Sequence, residues 1–105
     1  MLIARWNCEA RFGYKQDALN LMKEWMEQIG NQTNLDMKNS RLITGSVGAK
    51  EALIQHDIEI DDLADLDKFF DTIAGIKMHK DWGRKLSDVV VSGSTYWEVF
   101  RVVEL

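Results

Sequence analysis

Cysteine and long apolar runs are both scarce in this sequence. Its one cysteine, Cys8, excludes an intrachain disulfide, a pattern typical of proteins from a reducing compartment. The stretch MLIAR is too short an apolar run for a signal peptide, and no window reaches the ~20 apolar residues of a membrane span. We therefore expect a cytoplasmic protein that has no membrane partner.

Positive charge is also in short supply. The chain has 13 Lys and Arg against 17 Asp and Glu, which gives a formal net charge of −4. Nucleic-acid binding usually needs a basic face that displaces counterions from phosphates, so no nucleic-acid partner is expected. The motifs GxGxxG, GxxxxGK[ST], HExxH and GxSxG are absent, so nucleotide-hydrolase, zinc-protease and α/β-hydrolase functions lack support.

A set of acids, Asp57, Glu59 and Asp61, falls on one face of a predicted strand and could suggest a metal site. No EF-hand glycine pattern and no His/Cys cluster accompanies these acids. Favourable charges at a helix start and cross-strand pairing with Arg5 or Arg101 explain them more simply. No metal site is predicted.

The length and composition of the chain are those of one globular domain. It has 105 residues, of which 46% are hydrophobic and 29% charged. A chain of this length buries roughly two-thirds of its unfolded surface, which suffices for one core. The chain has no proline, and neither a linker nor a close repeat interrupts it. We predict a single domain over residues 1–105.

Strand-like periodicity occurs in four places. Residues 2–12, LIARWNCEARF, and 52–60, ALIQHDIEI, alternate apolar and polar side chains with the period of a half-buried strand. Residues 41–49, RLITGSVGA, are predicted as a strand that joins 52–60 through a hairpin turn. A last strand is predicted from Thr95 to Glu104.

Helical periodicity fills the intervals between the strands. Apolar residues from Lys15 to Gln28 recur on one helix face, with a stop at Gly30 and Asn31, and the following NQTNLDMKNS is predicted as a loop. Asp61 or Asp62 is a natural N-cap for a second helix. A further short helix from Lys77 to Leu86 has three apolar residues on its predicted inner side: Met78, Trp82 and Leu86.

The order β-α-β-β-α-β predicts an α+β, ferredoxin-like fold. Its four-stranded antiparallel sheet would carry the helices on one face and leave the other bare. The last strand is apolar on both sides, with Tyr96 and Phe100 on one and Trp97 and Val99 on the other. A strand that is apolar on both sides needs both faces covered by other parts of the protein. The helices cover one face, and a second subunit is the simplest way to cover the other. We therefore predict a homodimer that forms through the open sheet face.

Two segments carry a family resemblance. Residues 69–86, FFDTIAGIKMHKDWGRKL, and 96–105, YWEVFRVVEL, look like the helical, aromatic and basic run and the closing strand of the dimeric α+β barrel superfamily. This superfamily includes antibiotic-biosynthesis monooxygenases, haem-degrading monooxygenases, EthD-like proteins and NIPSNAP proteins. The resemblance implies a dimeric α+β barrel in which two sheets pack face to face. It also implies a ligand or active site inside each subunit, between sheet and helices.

Haem-degrading members of that superfamily use an asparagine on the first strand, a tryptophan and a histidine. This chain has Asn7, His79 and Trp82, but the strand ALIQHDIEI lacks the tryptophan of those proteins. Asn7 also has the parity opposite to Trp6, which is assigned to the helix side. Haem-degrading chemistry is therefore not carried over to this chain, and no cofactor is predicted.

Two histidines are the candidate catalytic residues. His56 interrupts an apolar stripe, and a buried imidazole must find a hydrogen bond, so it has either a structural partner or a place in a pocket. His79 shares a helix face with Trp82 and is either a general acid/base or a polar group at a helix end. The candidate ligand-binding residues are Trp6, His56, Phe69, His79 and Trp82.

Three functions remain open at the level of sequence. The first is a homodimer that binds a small apolar organic ligand in a pocket between sheet and helices. The second is a cofactor-independent monooxygenase or isomerase in which His56 or His79 moves a proton. The third is a purely structural dimer whose interior is filled by its own side chains. The identity of the ligand does not follow from the sequence, because one fold hosts many chemistries.

Overall fold

A computed structural model of the chain describes all residues, 1–105. The strands and helices follow one another as β1 (Leu2–Glu9), α1 (Lys15–Gln28), β2 (Arg41–Thr44), β3 (Leu53–Ile60), α2 (Leu63–Ala74), α3 (Lys77–Ser87) and β4 (Tyr96–Arg101). Helix α1 has the predicted bounds. Asp62 is the N-cap of α2, and its carboxylate accepts a hydrogen bond of 2.9 Å from the backbone N–H of Asp65.

The four strands form one antiparallel sheet in the order β2-β3-β1-β4. Strand β1 pairs with β3 on one side and with β4 on the other. The helices cover one face of this sheet, and the buried residues of β1 and β3 that point towards them include Ala4, Cys8, Ile54 and Ile58. The predicted α+β, ferredoxin-like fold with a four-stranded antiparallel sheet is confirmed.

Three strands are clearly shorter than predicted, and the last of them, β4, ends at Arg101 instead of Glu104. Strand β2 ends at Thr44, because the loop 45–52 turns back through Gly48, whose φ of 81° lies in the left-handed region. Strand β1 ends at Glu9, so Phe12 leaves the sheet and its side chain is fully exposed to solvent. Alternation in the sequence therefore continued beyond the hydrogen-bonded ladder at these strand ends.

The segment after α1 is more structured than the predicted loop. It contains two short 3₁₀ turns, Gly30–Gln32 and Met37–Asn39, and it buries Leu35 and Met37 in the core. Within α3, Trp82 and Leu86 face inward as predicted, but the inward prediction for Met78 is wrong. Met78 lies in the first turn of the helix, and its side chain is 47% exposed.

The sheet face that no helix covers carries a polar network. Arg5 donates two hydrogen bonds, of 2.7 and 2.9 Å, to the carboxylate of Asp57. This contact holds the pKa of Asp57 below its usual range. Asn7 donates to Glu98 at 3.0 Å and accepts from Gln55 at 2.7 Å. The acids of the predicted strand face thus include one that pairs with a neighbouring arginine, as expected.

None of the helices combines the length and the apolar character that crossing a membrane requires.

Candidate functional site

A cavity of about 130 Å³ lies between the sheet and the helices. Its walls are mostly aromatic, and they contain no acidic, lysine or arginine side chain. Strands, α1, α2 and α3 all contribute to the lining, which consists of Trp6, Met22, Trp25, His56, Ile73, His79, Trp82 and Trp97.

Strand register places three of the lining rings side by side. Trp6 on β1 is paired with His56 on β3 and with Trp97 on β4. Directly paired residues of antiparallel strands point to the same face of the sheet, at about 5 Å spacing. The three rings therefore form a row across the sheet, and this row is the floor of the cavity.

Helix periodicity supplies the opposite wall. Trp25 on α1 follows Met22 by three residues, and Trp82 on α3 follows His79 by three, so each pair shares a helix face. The rings of His79 and Trp82 stack, with centroids 6.0 Å apart and planes 20° apart. Trp25 lies 6.2 Å from Trp82 between ring centroids. These contacts give the cavity a rigid aromatic wall.

His56 is buried, and its Nε2 forms a hydrogen bond with Ser40, which does not line the cavity. Its Nε2 lies 3.0 Å from the hydroxyl of Ser40, and that hydroxyl donates its proton to the carbonyl of Met37 at 2.7 Å. The Ser40 oxygen must then accept from His56, so Nε2 of His56 carries the proton. Burial lowers the pKa of His56 to about 4, against a smaller opposing effect of Asp57, so the ring is neutral at pH 7.

His79 is held by a tryptophan. The indole N–H of Trp25 donates a hydrogen bond of 3.0 Å to Nδ1 of His79. Because Nδ1 is the acceptor, the proton of the neutral ring is on Nε2. Burial lowers the pKa of His79, which also favours the neutral form. The indole N–H of Trp82 is used elsewhere, in a hydrogen bond of 2.6 Å to the carbonyl of Leu21.

The structure brings four of the five predicted ligand-binding residues together around the cavity. These are Trp6, His56, His79 and Trp82. The fifth, Phe69, does not line it: the ring is fully buried behind the wall, 6.0 Å from Trp25 and 5.8 Å from Trp97 between ring centroids. For His56, both open alternatives hold at once, since it has a structural partner and also borders the cavity.

Four lining residues were not singled out from the sequence. Trp25 and Met22 were recognised only as members of an apolar helix stripe, and Ile73 likewise. Trp97 was recognised only as one of the large apolar residues on β4. A correct register between β1 and β4 would have placed it opposite Trp6, but alternation alone gives no register.

Cys8 lies on the same sheet face but outside the cavity lining. Burial raises the pKa of its thiol to about 12. The thiolate is the nucleophilic form of cysteine, so Cys8 behaves as a small buried apolar residue.

The apolar, uncharged lining of the cavity suits an uncharged ligand. An apolar cavity of roughly 150 Å³ is large enough to hold benzene. Aromatic walls favour flat rings in stacked or edge-on contact. An ion would lose its hydration without meeting an opposite charge, at a cost of several kcal/mol.

The burial of His56 predicts a specific pH dependence of stability. In the unfolded chain His56 has a pKa near 6.5, against about 4 in the folded protein. As pH falls between these values, the unfolded state binds a proton that the folded state does not. The free energy of unfolding therefore decreases, by about 3 kcal/mol between pH 7 and pH 4 from this group alone.

Urea unfolding across this pH range, for the native chain and for His56→Gln, measures that contribution. Glutamine keeps a polar partner for Ser40 but does not titrate. The difference between the two profiles should follow the His56 window and should level off below about pH 4, because carboxylates affect both proteins equally. Parallel profiles would show that His56 is accessible to protons in the folded state.

Comparison with known proteins gives a fold and no close relative. No protein-family model matches the chain, and no curated protein matches it in sequence. A NIPSNAP family protein from Agrobacterium tumefaciens has a similar structure, with a TM-score of 0.75 and 18% identity over 98% of this chain and 93% of that one.

Two oxygenase structures are similar as well. A crystallised antibiotic biosynthesis monooxygenase matches with a TM-score of 0.70 and 14% identity over 99% of this chain and 100% of that chain. SnoaB, a cofactor-independent oxygenase from Streptomyces nogalater, matches with a TM-score of 0.70 and 7% identity over 99% of this chain and 94% of that chain. At these identities the likeness shows the fold alone, and the predicted resemblance in fold to NIPSNAP and antibiotic-biosynthesis monooxygenase structures is confirmed.

Proposed function

We propose that this chain is a homodimeric small-molecule-binding protein. Its ligand would be a small, uncharged, largely apolar molecule held between the sheet and the helices. The observation that supports this proposal is a cavity of about 130 Å³ with aromatic walls and two histidines whose pKa values are both lowered. Concave apolar sites with a few placed polar groups are the usual form of a ligand pocket.

The exposed side chains of the sheet support the dimer. On the face away from the helices, Tyr96 is 53% and Phe100 43% exposed in the single chain. Beyond β4 the terminal residues Val103 and Leu105 are also exposed. Exposed apolar side chains beside the polar network of this face are typical of a contact surface, and a second copy of the chain is the simplest partner. Each subunit would be a single ferredoxin-like domain of residues 1–105.

A cytoplasmic location is part of the same proposal. It is supported by the free, buried thiol of Cys8, which is the form that cysteine keeps in a reducing compartment.

The second candidate function is a cofactor-independent monooxygenase or isomerase. It is favoured by the position of His56 in the cavity lining, next to where a substrate would lie. A general base works best when its pKa is near the operating pH. His56, with a pKa of about 4, would be a weak base at pH 7, so binding is the better supported of the two functions. The purely structural dimer is the third candidate, and the cavity of about 130 Å³ that the chain's own side chains leave open counts against it.

Native mass spectrometry followed by denaturing extraction tests the binding function. We expect a dimer that carries an additional small mass and releases an uncharged organic compound. The retained mass should be lost in His56→Ala and Trp82→Ala, while Phe12→Ala, which removes a fully exposed aromatic ring, should keep it.

Circular dichroism on the same proteins separates a ligand role from a core role. If His56→Ala and Trp82→Ala lose their fold together with the retained mass, both residues are plain core. If the extracted compound is converted by metal-free protein and not by His56→Ala, the enzymatic function replaces the binding function.

A further inference from the structure

We propose that the ligand of this cavity is a neutral ring compound that carries a hydroxyl group. This inference rests on the proposed function and adds the polar chemistry of the ligand to it. Two residues that line the cavity each keep one ring nitrogen without a partner in the protein. Nδ1 of His56 is a hydrogen-bond acceptor, and Nε2–H of His79 is a hydrogen-bond donor. A hydroxyl group satisfies both kinds of partner with a single oxygen atom.

The hydrogen bonds around His56 identify its Nδ1 as an acceptor. Its Nε2–H is used by Ser40, whose own proton is used by the carbonyl of Met37. Nδ1 then carries a lone pair, and it has no hydrogen-bond partner within the protein. Every fully buried side-chain nitrogen or oxygen does have a partner, so this nitrogen is open to a water-sized probe. Since His56 borders the cavity and is otherwise buried, the cavity is where Nδ1 is reached.

The hydrogen bond from Trp25 to His79 identifies the Nε2–H of His79 as a donor. Trp25 donates to Nδ1 of this ring, so Nε2 bears the proton. Nε2–H has no hydrogen-bond partner within the protein, so it is free to donate to a partner from outside the protein. His79 is partly buried, and it belongs to the lining of the cavity. The two histidines therefore have the same tautomer but leave opposite nitrogens free. One of them accepts and the other donates.

Charged guests fit this pattern poorly. A carboxylate could accept from His79 but would place its charge against the lone pair of His56. An ammonium group could donate to His56 but would meet the N–H of His79. No lining residue carries an opposite charge that would repay the lost hydration of either ion.

Ser40 and Trp25 are positioning residues in this scheme. Neither needs to touch the hydroxyl group of the ligand, because each acts through the histidine whose tautomer it sets. Partners of this kind are known to orient imidazoles in metal sites, where the second nitrogen is fixed in the same manner.

A set of one-ring probes tests the proposal. Phenol can donate and accept, anisole can only accept, toluene can do neither, and benzoate is charged. Dissociation constants are measured by NMR titration of the purified native protein. On apolar burial alone, toluene should bind at least as tightly as phenol. We expect phenol to bind about tenfold more tightly than toluene, with anisole between them and benzoate weakest, because each hydrogen bond contributes a factor of roughly 2–13.

Two matched tryptophan variants test the positioning residue. Trp25→Phe removes the indole N–H that holds His79, and Trp82→Phe removes an indole N–H that is bonded to a backbone carbonyl instead. Both variants reduce the aromatic wall, so both should weaken toluene binding to a similar extent. The phenol-to-toluene ratio should fall several-fold in Trp25→Phe only.

Histidine ¹⁵N spectra of the native chain provide a readout that needs no variant. Both rings should show a protonated Nε2 and an unprotonated Nδ1 at pH 7, and phenol should shift Nδ1 of His56. Equal affinity for phenol and toluene would overturn the hydroxyl inference and leave the apolar site standing. Tightest binding of benzoate would overturn the proposed function too, because the proposed ligand is uncharged. Binding of none of the four probes would overturn the proposed binding function as well.

Discussion

Replacing Phe69 with alanine is expected to lower the free energy of unfolding by about 3–5 kcal/mol. The ring of Phe69 is 0% exposed and contacts Trp25, Trp97 and Phe70, at centroid distances of 6.0, 5.8 and 5.8 Å. Its removal costs the transfer free energy of the ring and leaves a space behind the cavity wall. For a domain whose whole stability is of the order of 5–15 kcal/mol, this is a large share. Urea unfolding at one fixed protein concentration measures it.

The adjacent residue is a matched control. Phe70 is 36% exposed in the same helix turn, so Phe70→Ala should cost clearly less than Phe69→Ala. Phe12→Ala, at a fully exposed ring, should be close to neutral. A Phe69→Ala protein that keeps its stability would mean that the wall behind the cavity rearranges freely. The aromatic side chains around the cavity would then not form the rigid site described above.

Replacing Phe100 with aspartate is expected to convert the proposed dimer into a monomer at micromolar concentration. Phe100 lies on the uncovered sheet face, and the guanidinium carbon of Arg5 lies 5.0 Å from its ring centroid. Arg5 already donates two hydrogen bonds to Asp57, so a carboxylate at position 100 would be buried between two subunits with only a shared counter-ion. Loss of an aromatic contact together with a buried charge corresponds to a rise of about 100-fold or more in the dissociation constant of the proposed dimer.

Sedimentation velocity over a concentration series measures this change. Val47→Asp is the control, since Val47 is an equally apolar exposed residue in the loop 45–52, away from the strand ladder. It should leave the association unchanged. If the native chain itself sediments as a monomer, two copies do not associate through the open sheet face, and the dimer proposal fails independently of the cavity.

The alternation and the helical stripes in the sequence were sufficient for the order of elements. Helix α1 has the predicted bounds, and the parity of His56 with Ile54 and Ile58 correctly placed its ring on the helix side. These inferences succeed because side-chain direction along a strand or helix is a local property of the backbone. The strand ends were less well predicted, since β2 and β1 stop where the hydrogen-bonded ladder stops, and the ladder depends on the neighbouring strand.

Only the tertiary structure decided what the site is. It paired Trp6 with both His56 and Trp97, which turned three separate aromatic positions into one row. It also brought Ser40 to His56 and Trp25 to His79, and so set which nitrogen of each ring is free. Phe69, by contrast, was placed behind the wall.

The difference between what the sequence determined and what the tertiary structure decided has a physical reason. The sequence by itself determined the ferredoxin-like order, the face to which each histidine points, and the acidic, single-cysteine character of the chain. Periodicity and composition are read along one strand or helix at a time. Strand register and the contacts between distant segments are set by packing across the whole core, so the cavity and the hydrogen bonds of its two histidines appear only when the chain has folded.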